Sequence, residues 1–188
     1  MFVNLVLFIQ KKKRGDLICP TMKTNTHFPQ VQVRLKVAEG NALYSSSMIN
    51  TPQDAVLVMA DMMKDLDREY VCVVNLDNRN RPINFNIVSI GSINESVVPI
   101  QNIFKSAILT NATACIALHN HPSGILTASQ EDIAVTQKMI EAGNLLDIPV
   151  LDHIIISGYT SDAYSMREDG VRGIFESDAY EQYLTILS

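Results

Sequence analysis

The chain has 188 residues, 47% apolar and 19% charged, with a net charge of −5 and a pI near 5.3. That is the composition of one globular domain with its own core, and it excludes a disordered or low-complexity chain. A domain that grips nucleic acid through its phosphates usually carries a basic excess. This chain is acidic, and its one dense basic run is Lys11-Lys12-Lys13-Arg14; the charge therefore does not support a nucleic-acid partner beyond a local patch.

The opening MFVNLVLFIQKKKRG places its apolar stretch before its basic one, the reverse of a secretory signal. The apolar part is also far short of the about 20 residues that span a bilayer. Residues 1–28 are read as an N-terminal extension outside the fold, or at most a peripheral strand, with Met22 as an alternative start. No other run is long enough to cross a membrane. The 3 cysteines, Cys19, Cys72 and Cys115, are odd in number, far apart and without a CxxC pair. A disulfide framework or a cysteine zinc site is disfavoured, and a reducing cytoplasm is the expected compartment.

QVQVRLKV at residues 30–37 alternates with period two and predicts a half-buried strand. Residues 41–50 form a loop. Thr51-Pro52-Gln53-Asp54 is a helix start, with a hydroxyl cap, a proline at the first position and an acid in the first turn. Ala55, Val56, Met59, Met62, Met63 and Leu66 continue at helical spacing, so the helix should end near Arg68. Its methionines read as core filler. YVCVVNLD, residues 70–77, is a buried strand, Asp77 to Asn80 is turn chemistry, and residues 81–90 return as the second strand of a hairpin.

Val98-Pro99 opens a second helix with Ile100, Ile103, Phe104, Ala107 and Ile108 on one face. Residues 114–118 are a short apolar strand. Residues 129–146 are a third helix with Ile133, Ala134, Thr136, Met139, Ile140 and Ala142 inside. Residues 148–156, IPVLDHIII, are another buried strand, and residues 174–187 are expected to be a C-terminal helix. Strands and helices mix along the chain, which predicts a single α/β domain with helices packed on a sheet.

The chemistry sits in ALHNHPSGILTASQED, residues 117–132. If the strand continues through His119 and His121, both imidazoles leave on one face and can reach one ion at about 2.0–2.1 Å. Pro122 stops the strand and Gly124 allows a reversal. Asp132 then arrives on the first turn of the next helix as a third, carboxylate ligand. Two neutral histidines and a carboxylate leave a zinc ion with an open position, the arrangement of catalytic rather than structural zinc. Taken alone, Ser129-Gln130-Glu131-Asp132 is a helix cap with first-turn acids, and a histidine in a strand is more often a satisfied core group. The cap and the ligand are compatible, because a capped helix holds Asp132 still. HExxH, the zinc-deaminase pair of cysteines, the P-loop and GxGxxG are all absent from the sequence.

His119-Asn120-His121-Pro122-Ser123-Gly124 followed by Ser129-x-x-Asp132 resembles the JAMM motif of JAB/MPN metalloenzymes, in its RadC-like branch. Gly91 to Asn94, Phe104-Lys105, Glu141-Ala142-Gly143 and Leu151 to Ile156 carry the likeness further, over residues 45–168 of a domain placed at 29–188. The resemblance implies a JAB/MPN-like α/β domain, a mixed sheet flanked by helices in a cytidine-deaminase-like architecture. It implies zinc held by His119, His121 and Asp132. It implies Glu69, otherwise a solvated acid at a helix end, as the catalytic acid/base, ahead of Glu95 and Glu131. Ser129 is implied as a donor to the developing oxyanion. The activity implied is hydrolysis of a peptide or isopeptide bond in a peptide or protein substrate. The alternative is a DNA repair or recombination accessory role of the RadC type; residues 1–44 show no helix-hairpin-helix pattern to serve it. Asn120 is expected on the opposite face as a structural hydrogen-bonding group. His153 is expected to be a buried structural histidine rather than a group behind the metal.

Overall fold

The computed structural model describes residues 2–4, 36–38, 48–91, 98–169 and 173–175. In chain order they form β1 (Phe2–Asn4), β2 (Lys36–Ala38), α1 (Pro52–Met63), β3 (Tyr70–Leu76), β4 (Pro82–Ile90), α2 (Ile100–Leu109), β5 (Ala114–His121), α3 (Gln130–Leu145), β6 (Val150–Ser157) and β7 (Ala163–Ser165). The sheet order is β2-β1-β4-β3-β5-β6-β7. It is mixed: β3 pairs antiparallel with β4 and β5, whereas β5 and β6 run parallel. A parallel neighbour needs a crossover, and α3 supplies it.

Alternation along the central strands divides the core in two. Cys72, Val74 and Leu76 of β3 and Ala114, Ile116 and Leu118 of β5 pack with Ala55, Val56, Met59 and Met63 of α1. Val71 and Val73 of β3 and Cys115 and Ala117 of β5 pack on the other face with Ile103, Phe104 and Ala107 of α2 and Met139 and Ile140 of α3. The strands are buried on both faces, which is why they read as continuous apolar runs rather than as alternating ones. The expected α/β domain with a mixed sheet flanked by helices is the fold observed.

Local chemistry sets most boundaries. Thr51 caps α1 in a capping box with Asp54, and Pro52 fills the first turn, where no amide donor is needed. The helix ends at Met63 and not near Arg68, because Asp65 takes a left-handed φ of 59° and its N–H turns to the Gly158 carbonyl at 3.0 Å. The hairpin turn is closed by Asp77, whose carboxylate accepts from the Arg79 and Arg81 amides at 2.9 and 3.0 Å. On α2, Ile108 is exposed rather than inward, and on α3 Ala134 is exposed whereas Gly143 is buried. Of the strand expected at 30–37, residues 36–37 lie in β2 and the rest fall outside the described residues. The N-terminal segment contributes β1, which pairs with β2 and with β4; residues 5–28, Cys19 and the helix expected at 174–187, apart from the turn at 173–175, lie outside the described residues.

Cys72 and Cys115 are fully buried, and burial pushes both thiols up to about 12. In a Cys19→Ser protein at mildly alkaline pH, a thiol reagent should label neither residue until denaturant is added, and then both together. Labelling of the native protein would contradict this packing.

Candidate metal centre

Strand β5 continues through His121, so His119 and His121 leave the sheet together on the α2/α3 face, with Asn120 on the α1 face. The chain then reverses at Pro122, with Gly124 at φ 74° and its N–H on the His121 carbonyl at 2.9 Å. The end of β6 comes in against the same carbonyl, which accepts from Gly158 N–H at 2.9 Å. Only glycine fits there: a Cβ on Gly158 would lie 2.7 Å from that oxygen and 2.8 Å from Pro122 Cα.

Asp132 reaches the histidines from the first turn of α3. Ser129 is the helix cap: its hydroxyl accepts the Asp132 amide at 3.1 Å, while Asp132 Oδ2 accepts from the Ser129 amide at 2.8 Å and from its hydroxyl at 2.6 Å. That capping box holds one carboxylate oxygen and leaves Oδ1 to face His119 Nε2 at 3.2 Å. His121 Nε2 lies 3.6 Å from Oδ2 and 2.9 Å from His119 Nε2. The candidate ligand atoms of His119, His121 and Asp132 all lie within 4.8 Å of one another, a triad that fits a metal site. The side chains are 4%, 12% and 17% exposed, so the cluster is largely screened by protein.

The donor chemistry fits a divalent cation. The Ile125 carbonyl only accepts, and His121 Nδ1 sits 2.5 Å from it, so that nitrogen carries the proton and Nε2 presents its lone pair to the cluster. Burial alone would raise the Asp132 carboxyl; the closeness of His119 and His121 and the Ser129 hydroxyl outweigh it and hold the group well below the usual carboxylate range. Burial likewise opposes charge on His121, but Asp132, the Ile125 carbonyl and the charge of Glu69 together raise it. Both shifts have one physical source, the contact between the Asp132 carboxylate and the imidazoles.

Glu69 precedes β3. Val71 pairs with His119, so extending the register sets Glu69 opposite His121, on the same face of the sheet. It is half-buried, and its carbonyl accepts from Gly91 N–H at 2.9 Å. Its backbone is braced by Asn120, whose Oδ1 accepts from Tyr70 N–H at 2.7 Å and whose Nδ2 donates to the Arg68 carbonyl at 3.0 Å. Asn120 is thus on the opposite face, as expected, and its amide brackets Glu69 on both sides. Glu131 is exposed on α3, and Glu95 lies outside the described residues.

His153 is buried, as expected, and also touches the candidate site. It is buried in β6 opposite Ala117, on the ligand face, and its Nε2 is 2.8 Å from His119 Nδ1. Thr136, read only as an inward helix residue, sits 2.5 Å from His153 Nδ1. The available signal was strand alternation: aligning LDHIII beside ALHNH in parallel puts His153 and His119 on one face.

A family model described as the RadC-like JAB domain matches residues 49–171. The chain is similar to a UPF0758 protein of Roseiflexus castenholzii, 45% identical over 138 residues, which is 73% of this chain and 57% of that protein. It is also similar to a UPF0758 protein of Desulfitobacterium hafniense, 43% identical over 66% of this chain and 54% of the relative. A UPF0758 protein of Methanosarcina mazei is 43% identical over 57% of this chain and 47% of its own length. The chain belongs to the RadC-like JAB domain family. It spans about half the length of the curated relatives it matches.

Replacing Asn120 by alanine leaves the Tyr70 donor and the Arg68 acceptor without that partner. We expect a loss of about 1–3 kcal/mol in urea unfolding, the net worth of two hydrogen bonds. An unchanged midpoint would show that the bracket around Glu69 contributes nothing.

Proposed function

We propose that the protein is a zinc-dependent hydrolase of the JAMM type, cleaving a peptide or isopeptide bond in a peptide or protein substrate in the cytoplasm. The reading is carried by the convergence of His119 Nε2, His121 Nε2 and an Asp132 carboxylate at one point of the sheet, with Glu69 in register opposite. His119, His121 and Asp132 would hold the ion. A zinc ion so held supplies Lewis-acid polarisation of a carbonyl and brings the pKa of a bound water towards about 7.

The remaining chemistry falls to the chain. Glu69 takes the proton of the attacking water and returns it to the leaving amine, a task suited to a half-buried carboxylate beside the ligands. Asn120 fixes the backbone from which Glu69 projects. Ser129 donates to the developing oxyanion by turning its O–H away from Asp132 Oδ2, to which it is otherwise committed. The two glycines at the turn let β6 and the Pro122 reversal close against the His121 carbonyl, which keeps that ring in place.

Elemental analysis tests the assignment. The wild type should carry one zinc per chain. His119→Ala and Asp132→Ala should each lose it, and Glu69→Gln should keep it. With a cleavable peptide or isopeptide substrate, Glu69→Gln should lower turnover by about 100-fold or more. Full zinc in both ligand variants would overturn the site. A protein that takes up no zinc, yet binds DNA in a salt-dependent way, would favour the accessory role instead.

A further inference from the structure

Behind the ligands lies a line of buried polar groups that the proposed hydrolysis does not use. His119 Nδ1 is 2.8 Å from His153 Nε2, His153 Nδ1 is 2.5 Å from Thr136 Oγ1, and Thr136 Oγ1 is 2.5 Å from the Asp132 carbonyl. His119, His153 and Thr136 are 3%, 1% and 0% exposed, so these groups must satisfy one another rather than water. Resting on the metal-centre reading above, we infer that His153 and Thr136 are positioning residues of that centre, and that the order of protons along this line reverses when the ion binds.

The argument is an inventory of donors and acceptors. Each neutral imidazole and the hydroxyl bring one mobile proton, which makes three protons for three contacts. A cation on His119 Nε2 uses that lone pair, so the His119 proton sits on Nδ1 and is donated to His153 Nε2. His153 then carries its proton on Nδ1 and donates to Thr136. The hydroxyl in turn donates to the Asp132 carbonyl. Every contact in the line is a hydrogen bond, and the line ends on the backbone of the second ligand.

Without the cation, that order sets lone pairs against one another. His121 gives its proton to the Ile125 carbonyl, so its Nε2 only accepts, and the Asp132 carboxylate only accepts. His119 Nε2 faces them at 2.9 and 3.2 Å. The clash is relieved when His119 moves its proton to Nε2. Nδ1 then accepts from His153 Nε2–H, and His153 Nδ1 accepts from the Thr136 hydroxyl, which withdraws from the Asp132 carbonyl. No proton enters or leaves the line. The Thr136 bond to the Asp132 carbonyl belongs to the metal-bound order alone and the His119 Nε2–H bond to the Asp132 carboxylate to the other order alone, so the line couples His119 and Asp132 to the presence of the ion.

A histidine suits this place better than a carboxylate. A carboxylate behind a ligand histidine accepts only and locks one tautomer. It would also leave a second buried anion here. His153 can donate or accept, with one ring nitrogen on His119 and the other on Thr136.

Nitrogen-15 NMR of the full chain, labelled at histidine, tests the inference at a pH where the imidazoles are neutral. With zinc, His153 should be the Nδ1–H tautomer; after removal of zinc by a chelator it should be Nε2–H. A histidine that merely fills space would keep one tautomer. Thr136→Val should weaken zinc binding by about 10- to 100-fold, the usual effect of removing a group that orients a ligand, and Thr136→Ser should restore it. An unchanged His153 tautomer in a protein that does bind zinc would overturn this inference alone. Equal zinc affinity in the valine and serine variants would do the same. A wild type that binds no zinc would overturn the metal-centre reading, and this inference with it.

Discussion

The polar end of the sheet depends on β5 keeping its ladder as far as His121. An apolar strand ordinarily ends where its core residues end, yet here the backbone pairing with β6 runs on through His119, Asn120 and His121 to Ser157. Because side chains alternate, that continuation decides everything local at once. It sends both candidate ligand histidines to the α3 face and Asn120 to the α1 face. It puts His121 across from Glu69 and His119 beside Ile155. A slip of one residue would exchange the faces, and the triad, the Asn120 bracket and the contact with His153 would all be lost together.

The crossover from β5 through α3 to β6 is the second constraint. It places the first turn of a helix over the ends of two parallel strands, where backbone amides and the helix dipole favour negative charge. Asp132 exploits this with one carboxylate in two tasks. Oδ2 closes the capping box with Ser129 and lies 3.6 Å from His121 Nε2, and Oδ1 faces His119. The cap therefore fixes the ligand: the Ser129 contacts that start the helix also set the direction of the carboxylate. The helix cap and the candidate metal ligand, which the sequence reads as compatible for Ser129-x-x-Asp132, coexist in this geometry, because the capped carboxylate still turns Oδ1 towards His119.

How much was legible follows from the range of the interactions. The α1 cap, the hairpin, the β5 strand and the α3 start are encoded within a few residues, and each was readable from turn residues, caps and periodicity. The C-terminus of α1 was not, because its apolar spacing runs on to Leu66 while a left-handed Asp65 bonded to Gly158 stops the helix at Met63. The candidate ligands were legible because His119, His121 and Asp132 fall within one strand-turn-helix passage. Their supports were not. Asn120 reaches Arg68 across 52 residues, and His153 reaches His119 across 34. Such partners are set by strand order and register, which no local period encodes.

Those supports share a physical pattern. Each side chain next to a proposed functional group is amphoteric rather than charged. Asn120 donates to one carbonyl and accepts from one amide, Thr136 does both through one oxygen, and neutral His153 offers one donor and one acceptor. A buried charge in any of these places would need its own counter-charge, and near a carboxylate it would distort the field at the cluster. Amphoteric groups satisfy backbone and ligands without adding net charge. Among the described residues Asp132 and Glu69 flank His121 on this face, and their negative charge favours a cation at that point.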